Sequence, residues 1–430
     1  MEMLRELAAR AGRGRRAGQV LALGAVATGS SLFAHYFRAS GKAALELISG
    51  WADPVTAARH LPAPVVFLWV GLAVVVSAAI GHGVTHHLRR GGLTGLAAAA
   101  HGDRCDEPSM PLTLARAVGT WVSSASLVSV GRESAILETG GALGTALERR
   151  VRLAPGTLTA VGLAAAFASA YQAPIAAVVY LVEHVGLRRE RSAVAAVVAA
   201  AAIGAVITFG LFGEESIFPH HRGGLAAMAL LGLVAVVPTT LGARLFLRIR
   251  DRAAVAAVAR LPVAARALAL AALGATVVAV AGVNAGNGME ALRHASTEQT
   301  LAIALALALG KLVATSAALA AGVPGGVFSP TISNAAGWAL LTYVALGALG
   351  APLPADLWDG LLVAMVVGVA AGIRAPFTAA FVVPEMAGDY RILPVTVAVA
   401  AVVAALDHLL DQRLPGAEVA ELDSVHDEDS

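Results

Sequence analysis

The sequence is poor in cysteine and in charge. Its 430 residues include one cysteine, Cys105, which excludes an intrachain disulfide, a cysteine-rich metal site and an iron–sulfur cluster. Charged residues make up 14% of the chain, whereas a soluble domain carries about 25%. The formal net charge is +2, too small for this length to favour binding to nucleic acid. These shortages argue against a soluble protein and against a nucleic-acid partner.

Long apolar runs take the place of the missing charge. Hydrophobic residues make up 57% of the chain, and several runs are long enough to cross a bilayer. We therefore expect an all-α polytopic membrane protein with no cofactor. Arginines near the first apolar run indicate a cytoplasmic N-terminus. The predicted organisation is a basic N-terminal segment, two transmembrane repeats and a polar acidic tail, at residues 1–18, 19–215, 216–410 and 411–430.

Two pairs of similar segments indicate an internal duplication. Residues Gly131–Leu137 (GRESAIL) align with Gly326–Ile332 (GVFSPTI) at an offset of 195 residues. Residues Ala173–Glu183 (APIAAVVYLVE) align with Ala375–Glu385 (APFTAAFVVPE) at an offset of 202 residues. Two matches in the same order predict two structural repeats, with broken helices that cross only part of the membrane.

Glu133 is the candidate gate of a membrane ion path. It stands in the first turn of an apolar helix, where backbone N–H groups without helical partners attract an anion. The ionised carboxylate can occupy the anion's position and leave it when protonated or displaced. An intramembrane carboxylate is costly, which favours a functional role. The alternative is a glutamate that complements the helix dipole at a water-exposed loop.

A Gly/Pro-rich break occupies the matching place in the second half. Residues Gly322–Pro330 (GVPGGVFSP) interrupt an apolar region, and their glycines allow the backbone to bend sharply. The amides of Val327 and Phe328 are then available to one ion. A plain loop between two spans is the alternative, but the repeat register favours an ion site.

These motifs resemble those of the CLC family of chloride channels and chloride/proton antiporters. Gly131–Glu133 is similar to the family's Gly-Arg/Lys-Glu-Gly-Pro motif, and Gly326–Pro330 matches its Gly-x-Phe-x-Pro motif. Gly286–Glu290, Lys311–Thr315 and Ala173–Glu183 resemble three further stretches. The similarity runs from about residue 90 to 395, and the motifs are in the family's order.

The resemblance implies a homodimer in the plasma membrane, with two inverted repeats and one anion pore in each subunit. By this resemblance Glu133 is the external gate. Gly326, Val327 and Phe328 contribute to anion coordination, and the charge of Arg132 adds a favourable local field.

Two hydroxyl groups that contact the central anion in the family are missing from the sequence. Family spacing places Gly91 and Gly92 where an early serine motif is expected, while residues 81–85 (GHGVT) look similar but lie too early. No tyrosine follows Tyr390, although the family has one near the C-terminus. These departures predict weaker central binding and looser coupling between anion and proton.

Glu183 and His184 are candidate proton-relay residues. His184 stands where antiporters of the family carry an inner glutamate, and imidazole can relay protons near neutral pH. The alternative is a histidine at a helix end that faces water, and we favour it. We therefore expect transport of chloride or a similar small anion with weak or absent proton coupling. A proton-coupled chloride or fluoride antiporter is the alternative.

A membrane metal enzyme is the rival from another class. His82, His86 and His87 partly share one helix face and could bind a metal. A solvated helix end beside Arg89 and Arg90 explains the three histidines better. No Gly-x-Ser-x-Gly motif indicates a hydrolase, so we expect a transport protein rather than an enzyme.

Overall fold

The computed structural model describes residues 2–85, 92–101, 109–151, 153–187, 190–249 and 261–413. Within these ranges the chain is α-helical, with short π-helical and 3-10 turns and no β-strand beyond one isolated bridge. The first half contains α1 (Glu2–Ser49), α2 (Pro54–His60), α3 (Ala63–Thr85), α4 (Gly92–Ala100), α5 (Met110–Ser124), α6 (Glu133–Glu148), α7 (Thr157–Tyr171), α8 (Pro174–Glu183) and α9 (Arg191–Ala205).

The second half repeats the pattern of long helices interleaved with short ones. It contains α10 (Leu225–Arg248), α11 (Val263–Val280), α12 (Met289–Ala295), α13 (Leu301–Leu305), α14 (Lys311–Ala320), α15 (Phe328–Ala348), α16 (Trp358–Gly372), α17 (Pro376–Met386) and α18 (Leu393–Arg413). π-Helical turns extend α9 at Val206–Leu211 and join α13 to α14 at Ala306–Gly310.

Seven helical segments in the described part of the chain are long and apolar enough to cross a membrane. Their outward faces carry large apolar side chains: Leu72 is 65% exposed, Leu233 70% and Leu268 59%. A surface of this kind is stable against lipid chains and unstable in water. The prediction of an all-α polytopic membrane protein is confirmed. The seven segments lie at Arg16–His60, Ala63–Val84, Arg191–Leu211, Leu225–Arg248, Val263–Val280, Leu301–Ala320 and Tyr390–Gln412.

Two short helices form the centre of the molecule. In α7 every residue from Leu158 to Tyr171 is buried, and in α16 every residue is buried. Fifteen residues span about 22 Å, which is less than the hydrocarbon thickness of a bilayer. Close helix contacts enclose α7: a Cβ on Gly162 would lie 1.9 Å from the carbonyl oxygen of Gly140 in α6. Small residues allow this approach between membrane helices.

The duplication is visible in the backbone. Three pairs of residues adopt the left-handed conformation at the two offsets found in the sequence, 195 and 202 residues. Because residues other than glycine seldom adopt this conformation, its recurrence at Gln172 and Arg374 is not a local accident. The pairs are Leu127 (φ 64°) with Gly322 (96°), Gln172 (56°) with Arg374 (55°), and Gly186 (73°) with Gly388 (63°).

The boundaries predicted for the segments stay predictions. The basic N-terminal residues continue directly into the first long helix, because α1 runs without a break from Glu2 to Ser49. The structure describes only residues 411–413 of the tail predicted at 411–430.

Candidate functional site: a buried carboxylate between two helix N-termini

The two motifs that begin at Gly131 and Gly326 are in direct contact. The amide of Gly131 donates to the carbonyl oxygen of Gly326, and the amide of Gly326 donates to that of Gly131, each at 2.8 Å. Helix α6 begins two residues after the first glycine and α15 two residues after the second. The two helices therefore begin side by side.

The contact requires glycine. A Cβ on Gly131 would lie 2.6 Å from the carbonyl oxygen of Gly326, which is closer than such atoms approach in proteins. The chain reaches this point from Gly322, whose φ of 96° suits glycine. The Gly/Pro-rich break therefore turns the chain so that α15 starts beside α6.

The helix starts present amide donors at this contact. The N–H groups of the first turn of a helix have no intrahelical acceptors, and the helix dipole adds a partial positive charge there. In α15 these groups belong to Val327, Phe328 and Ser329, since Pro330 has no N–H. In α6 they belong to the residues that start with Glu133.

The Glu133 carboxylate is buried at this junction, with a side chain that is 6% exposed. Its Oε1 accepts a hydrogen bond of 2.6 Å from Nδ2 of Asn287. Its Oε2 is buried and has no hydrogen-bond partner. Arg132 lies between two carboxylates, with Nε 3.8 Å from Glu133 Oε1 and Nη2 3.6 Å from Glu290 Oε1. The charge of Arg132 is thus shared between Glu133 and Glu290.

A cavity of about 460 Å³, here called the vestibule, leads to Glu133. Its wall combines the C-terminal part of α1, the end of α7, the loop after α9 and the start of α12. Acidic and basic side chains alternate on it, which provides a polar approach within an apolar protein. The lining residues are His35, Arg38, Ala39, Lys42, Arg132, Glu133, Ala170, Tyr171, Gln172, Glu214, Glu215, Ser216, Ile217, Met289, Glu290 and Arg293.

One glutamate organises the vestibule wall. Both carboxylate oxygens of Glu214 accept from Nη2 of Arg38, at 2.9 and 2.8 Å, and Oε2 also accepts from Nε2 of Gln172. His35 Nδ1 lies 2.7 Å from Oε1. Burial raises the pKa of Glu214, but these partners lower it by more, so the net shift is downward. The cluster fastens α1 to the loop after α9.

A buried lysine supports the segment that carries Asn287. Lys311 Nζ donates to the carbonyl oxygens of Gly286, at 2.6 Å, and Asn284, at 3.1 Å, and its side chain is fully buried. The lysine also lies within electrostatic range of Glu133 and Glu290. Its two hydrogen bonds hold the backbone of Asn284 and Gly286 in place beside Asn287.

With this geometry described, the chain can be compared with known proteins. A family model described as voltage gated chloride channel matches residues 70–407, which is more than half of the chain. The chain belongs to the voltage-gated chloride channel family. A relative from Ralstonia nicotianae, described as a putative chloride channel protein ClcB-like, is 30% identical over 304 residues. The match covers 65% of this chain and 68% of that relative.

Solved structures of the family have the same fold. The crystal structure of a slow cyanobacterial Cl⁻/H⁺ antiporter superposes with a TM-score of 0.73 at 21% identity, and covers 91% of this chain and 97% of its own. A CLC-type fluoride/proton antiporter superposes with a TM-score of 0.69 at 20% identity, and the coverage is 90% and 95%. At these identities the likeness concerns the fold. The predicted CLC-type fold is confirmed.

Glu183 of this CLC-family chain is a helix cap. Its carboxylate accepts from the amides of Phe377, at 2.8 Å, and Thr378, at 2.6 Å, at the start of α17. Glu385 at the end of α17 accepts in the same way from the amides of Ile175, at 2.9 Å, and Ala176, at 2.8 Å, at the start of α8. Each copy of the duplicated segment therefore caps the other. A proton-relay role for Glu183 stays a prediction.

His184 follows at the exposed end of α8, where its ring stacks on Tyr180 at 5.1 Å between centroids. Tyr180 in turn stacks on Phe167 at 4.8 Å. Phe167 contacts Tyr171 at 4.6 Å, and Tyr171 contacts Phe328 at 4.4 Å. A continuous row of aromatic rings thus connects the end of α8 with the junction.

Only some of the remaining residues predicted from the sequence lie within the described part of the chain. Gly92 is the first residue of α4, which packs on α6 and α7, while Gly91 lies outside the described residues. His86 and His87 also lie outside them. His82 Nδ1 bonds to the carbonyl oxygen of Ala78 at 2.8 Å. Among the described residues no group of three potential metal ligands is found.

Sequence reasoning missed the residues that surround Glu133 in space. Asn287 lies inside the motif Gly286–Glu290. Its side-chain amide indicates a partner for Glu133 only when the segments that contain the two residues are known to be in contact. Tyr171 and Ser329 carried no signal of their own. Tyr171 stands two residues before Ala173, and Ser329 was read only as part of the Gly-x-Phe-x-Pro motif.

Proposed function

We propose that this protein carries chloride or a similar small anion across the membrane through a pore at the meeting helix N-termini, and that Glu133 is the gate. The observation that carries the proposal is the reciprocal hydrogen bonding of Gly131 and Gly326, which holds two helix starts side by side next to one buried carboxylate. Partial charges of this kind bind an anion without a fixed cation that would hold it too tightly.

The environment of Glu133 suits a movable gate. One carboxylate oxygen is held by Asn287, while the other has no partner and can exchange for a bound anion. Neutralising the carboxylate removes its competition with the anion for the amides. Protonation therefore opens the pore in this proposal.

Weak or absent proton coupling is the favoured version. Both oxygens of Glu183 are engaged in capping α17, and His184 stands at an exposed helix end. Neither arrangement favours delivery of protons to the gate. The aromatic row from His184 to Phe328 is the observation that favours the second candidate, a proton-coupled chloride or fluoride antiporter.

The vestibule faces outward in this proposal. Arginines at the start of α1 favour the cytoplasm. Twenty residues from Arg16 reach about 30 Å along the helix, the thickness of the bilayer core, so His35 and Arg38 emerge on the opposite side. We also propose that the protein forms a homodimer in the plasma membrane, as its resemblance to the family implies.

Flux measurements in proteoliposomes test the function. We expect uptake of chloride, bromide, nitrate or fluoride by the wild-type protein, with little proton movement recorded at the same time. Glu133→Gln should raise the anion flux at neutral pH about tenfold or more and should remove most of its pH dependence, because the neutral side chain no longer competes for the amides.

The matched control is Glu138→Gln, which neutralises another buried glutamate in the same helix, paired with Arg116 at 3.0 Å. It should leave the pH dependence unchanged. Wild-type liposomes that admit no anion would refute the proposal. A strong proton-driven shift of the reversal potential would replace the weakly coupled version with the antiporter.

A further inference from the structure

Two buried hydroxyl groups from different helices adjoin each other near Glu133. Ser329, the second residue of α15, is fully buried, and its Oγ has no hydrogen-bond partner. Tyr171, the last residue of α7, is 2% exposed and lines the vestibule. Its hydroxyl lies within hydrogen-bond reach of the Ser329 hydroxyl, so the two groups adjoin each other near Glu133. Glu133 Oε2 at this place also has no hydrogen-bond partner in the protein.

Other hydroxyls of the same helix are satisfied locally. Thr331 donates to the carbonyl oxygen of Val327, and Ser333 to that of Pro330. Ser329 makes no such bond within its own helix, and the carbonyl oxygen of Gly326, three residues before it, accepts from the amide of Gly131. A buried hydroxyl without a partner costs free energy, so its retention points to a ligand.

The Tyr171 ring is held rigidly. It packs against Phe328 at 4.4 Å and Phe167 at 4.6 Å between centroids. The hydroxyl is therefore aimed before any ligand arrives, and little entropy is lost when it donates.

We propose that the hydroxyls of Tyr171 and Ser329 donate hydrogen bonds to the transported anion and form a side-chain subsite next to Glu133. This inference rests on the proposed function and adds the residues that select the anion. The helix-start amides of α15 make the place positive, so an anion is favoured over water as the acceptor. Two converging O–H donors favour a small anion that accepts hydrogen bonds strongly, such as fluoride or chloride, over nitrate.

The two hydroxyls of the subsite come from α7 and α15, where the sequence motifs predict no hydroxyl ligand. The positions at which the family carries a serine and a tyrosine lack both groups here. Tyr171 from α7 and Ser329 from α15 reach the same anion from two other helices. These two hydroxyls can therefore replace the two missing ones in binding the anion.

Tyr171→Phe and Ser329→Ala test the subsite, because each removes a single oxygen and leaves the packing. Chloride, fluoride and nitrate affinities are measured by calorimetry in detergent, and relative fluxes in proteoliposomes. We expect each substitution to weaken chloride binding about tenfold, the effect of one hydrogen bond to a charged group. The preference for fluoride and chloride over nitrate should fall with it. A purely structural role would not alter this preference.

Tyr343→Phe is the matched control. The Tyr343 hydroxyl is also buried, but it donates to the carbonyl oxygen of Leu231 at 3.0 Å, in the contact of α15 with α10. Its loss should lower thermal stability and leave the anion affinities unchanged. If Tyr171→Phe proves unstable, Ser329→Ala alone decides, since it reports on the same anion.

The outcomes separate the two proposals. Wild-type chloride affinity and selectivity in both Tyr171→Phe and Ser329→Ala would overturn the subsite, while the proposed function would stand. A wild-type protein that neither binds nor transports any of the three anions would overturn the proposed function and the subsite together.

Discussion

At the scale of single residues, Asn287 is the group that holds the Glu133 carboxylate. Its Nδ2 donates to Glu133 Oε1, and its Oδ1 accepts from the amide of Met289 at 3.1 Å, so both ends of the side-chain amide are engaged. The residue is 5% exposed. An amide fixed in this way holds one oxygen of the Glu133 carboxylate in place.

Removal of this donor should close the pore. In Asn287→Leu the ionised carboxylate loses its partner and moves toward the amides that bind the anion. We expect flux at neutral pH to fall about tenfold, because a hydrogen bond to a charged group contributes about 1.5 kcal/mol or more. Acidification should restore the flux, because a protonated gate does not compete with the anion.

The same substitution in a Glu133→Ala background provides the control. Without a carboxylate at position 133, Asn287→Leu should have no further effect on flux. A similar loss of flux in both backgrounds would mean that Asn287 acts on the fold and not through the gate.

At the scale of helices, the two copies of the duplicated segment stabilise each other. Glu183 at the end of α8 caps α17, and Glu385 at the end of α17 caps α8. Each carboxylate accepts hydrogen bonds from two amides at the start of the other helix, which have no acceptor within that helix. Its negative charge also lies at the positive end of that helix's dipole. The short helices are thereby joined at both ends without a connecting loop.

Substitution of the two caps should have similar effects on stability. Glu183→Ala and Glu385→Ala each leave two helix-start amides without an acceptor, which should cost about 1–2 kcal/mol in free energy of unfolding. Thermal unfolding in detergent measures the loss. Equal destabilisation, with unchanged proton movement in Glu183→Ala, is expected. Loss of proton transport in Glu183→Ala, with unaltered stability, would instead make this residue a relay.

At the scale of the whole molecule, the two halves also meet through an ion pair between α12 and the start of α2. His294 Nε2 in α12 lies 2.7 Å from Oδ2 of Asp53, the N-cap of α2. The hydrogen bond with Asp53 raises the pKa of His294, while partial burial lowers it, and the net shift is upward. Folding therefore favours the protonated imidazole.

This pair should make stability depend on pH. Because the pKa of His294 is raised by folding, the contribution is complete below the unfolded value of about 6.5 and is lost as the pH rises through the folded value. Asp53→Asn keeps an N-cap and removes the charged partner. We expect the wild type to be more thermostable than Asp53→Asn at pH 6 and the difference to vanish by about pH 9. A constant difference across this range would exclude the ion pair as its source.

The sequence by itself determined the class of fold, the duplication and the position of Glu133. Apolar runs, glycine breaks and matching segments are local features, and a carboxylate in the first turn of an apolar helix needs no distant information to be noticed. The contact between Gly131 and Gly326 could be predicted because both motifs occupy the same place in the two repeats.

Only the tertiary structure decided what surrounds the gate and what the duplicated glutamates do. Asn287, Tyr171 and Ser329 come from segments far apart in the chain, and an amide or hydroxyl has no assigned partner until the helices pack. The capping role of Glu183 is visible only when both segments are packed together, while its proton-relay role stays a prediction. Hydrogen bonding across helices depends on distances of a few ångström, which residue spacing does not contain.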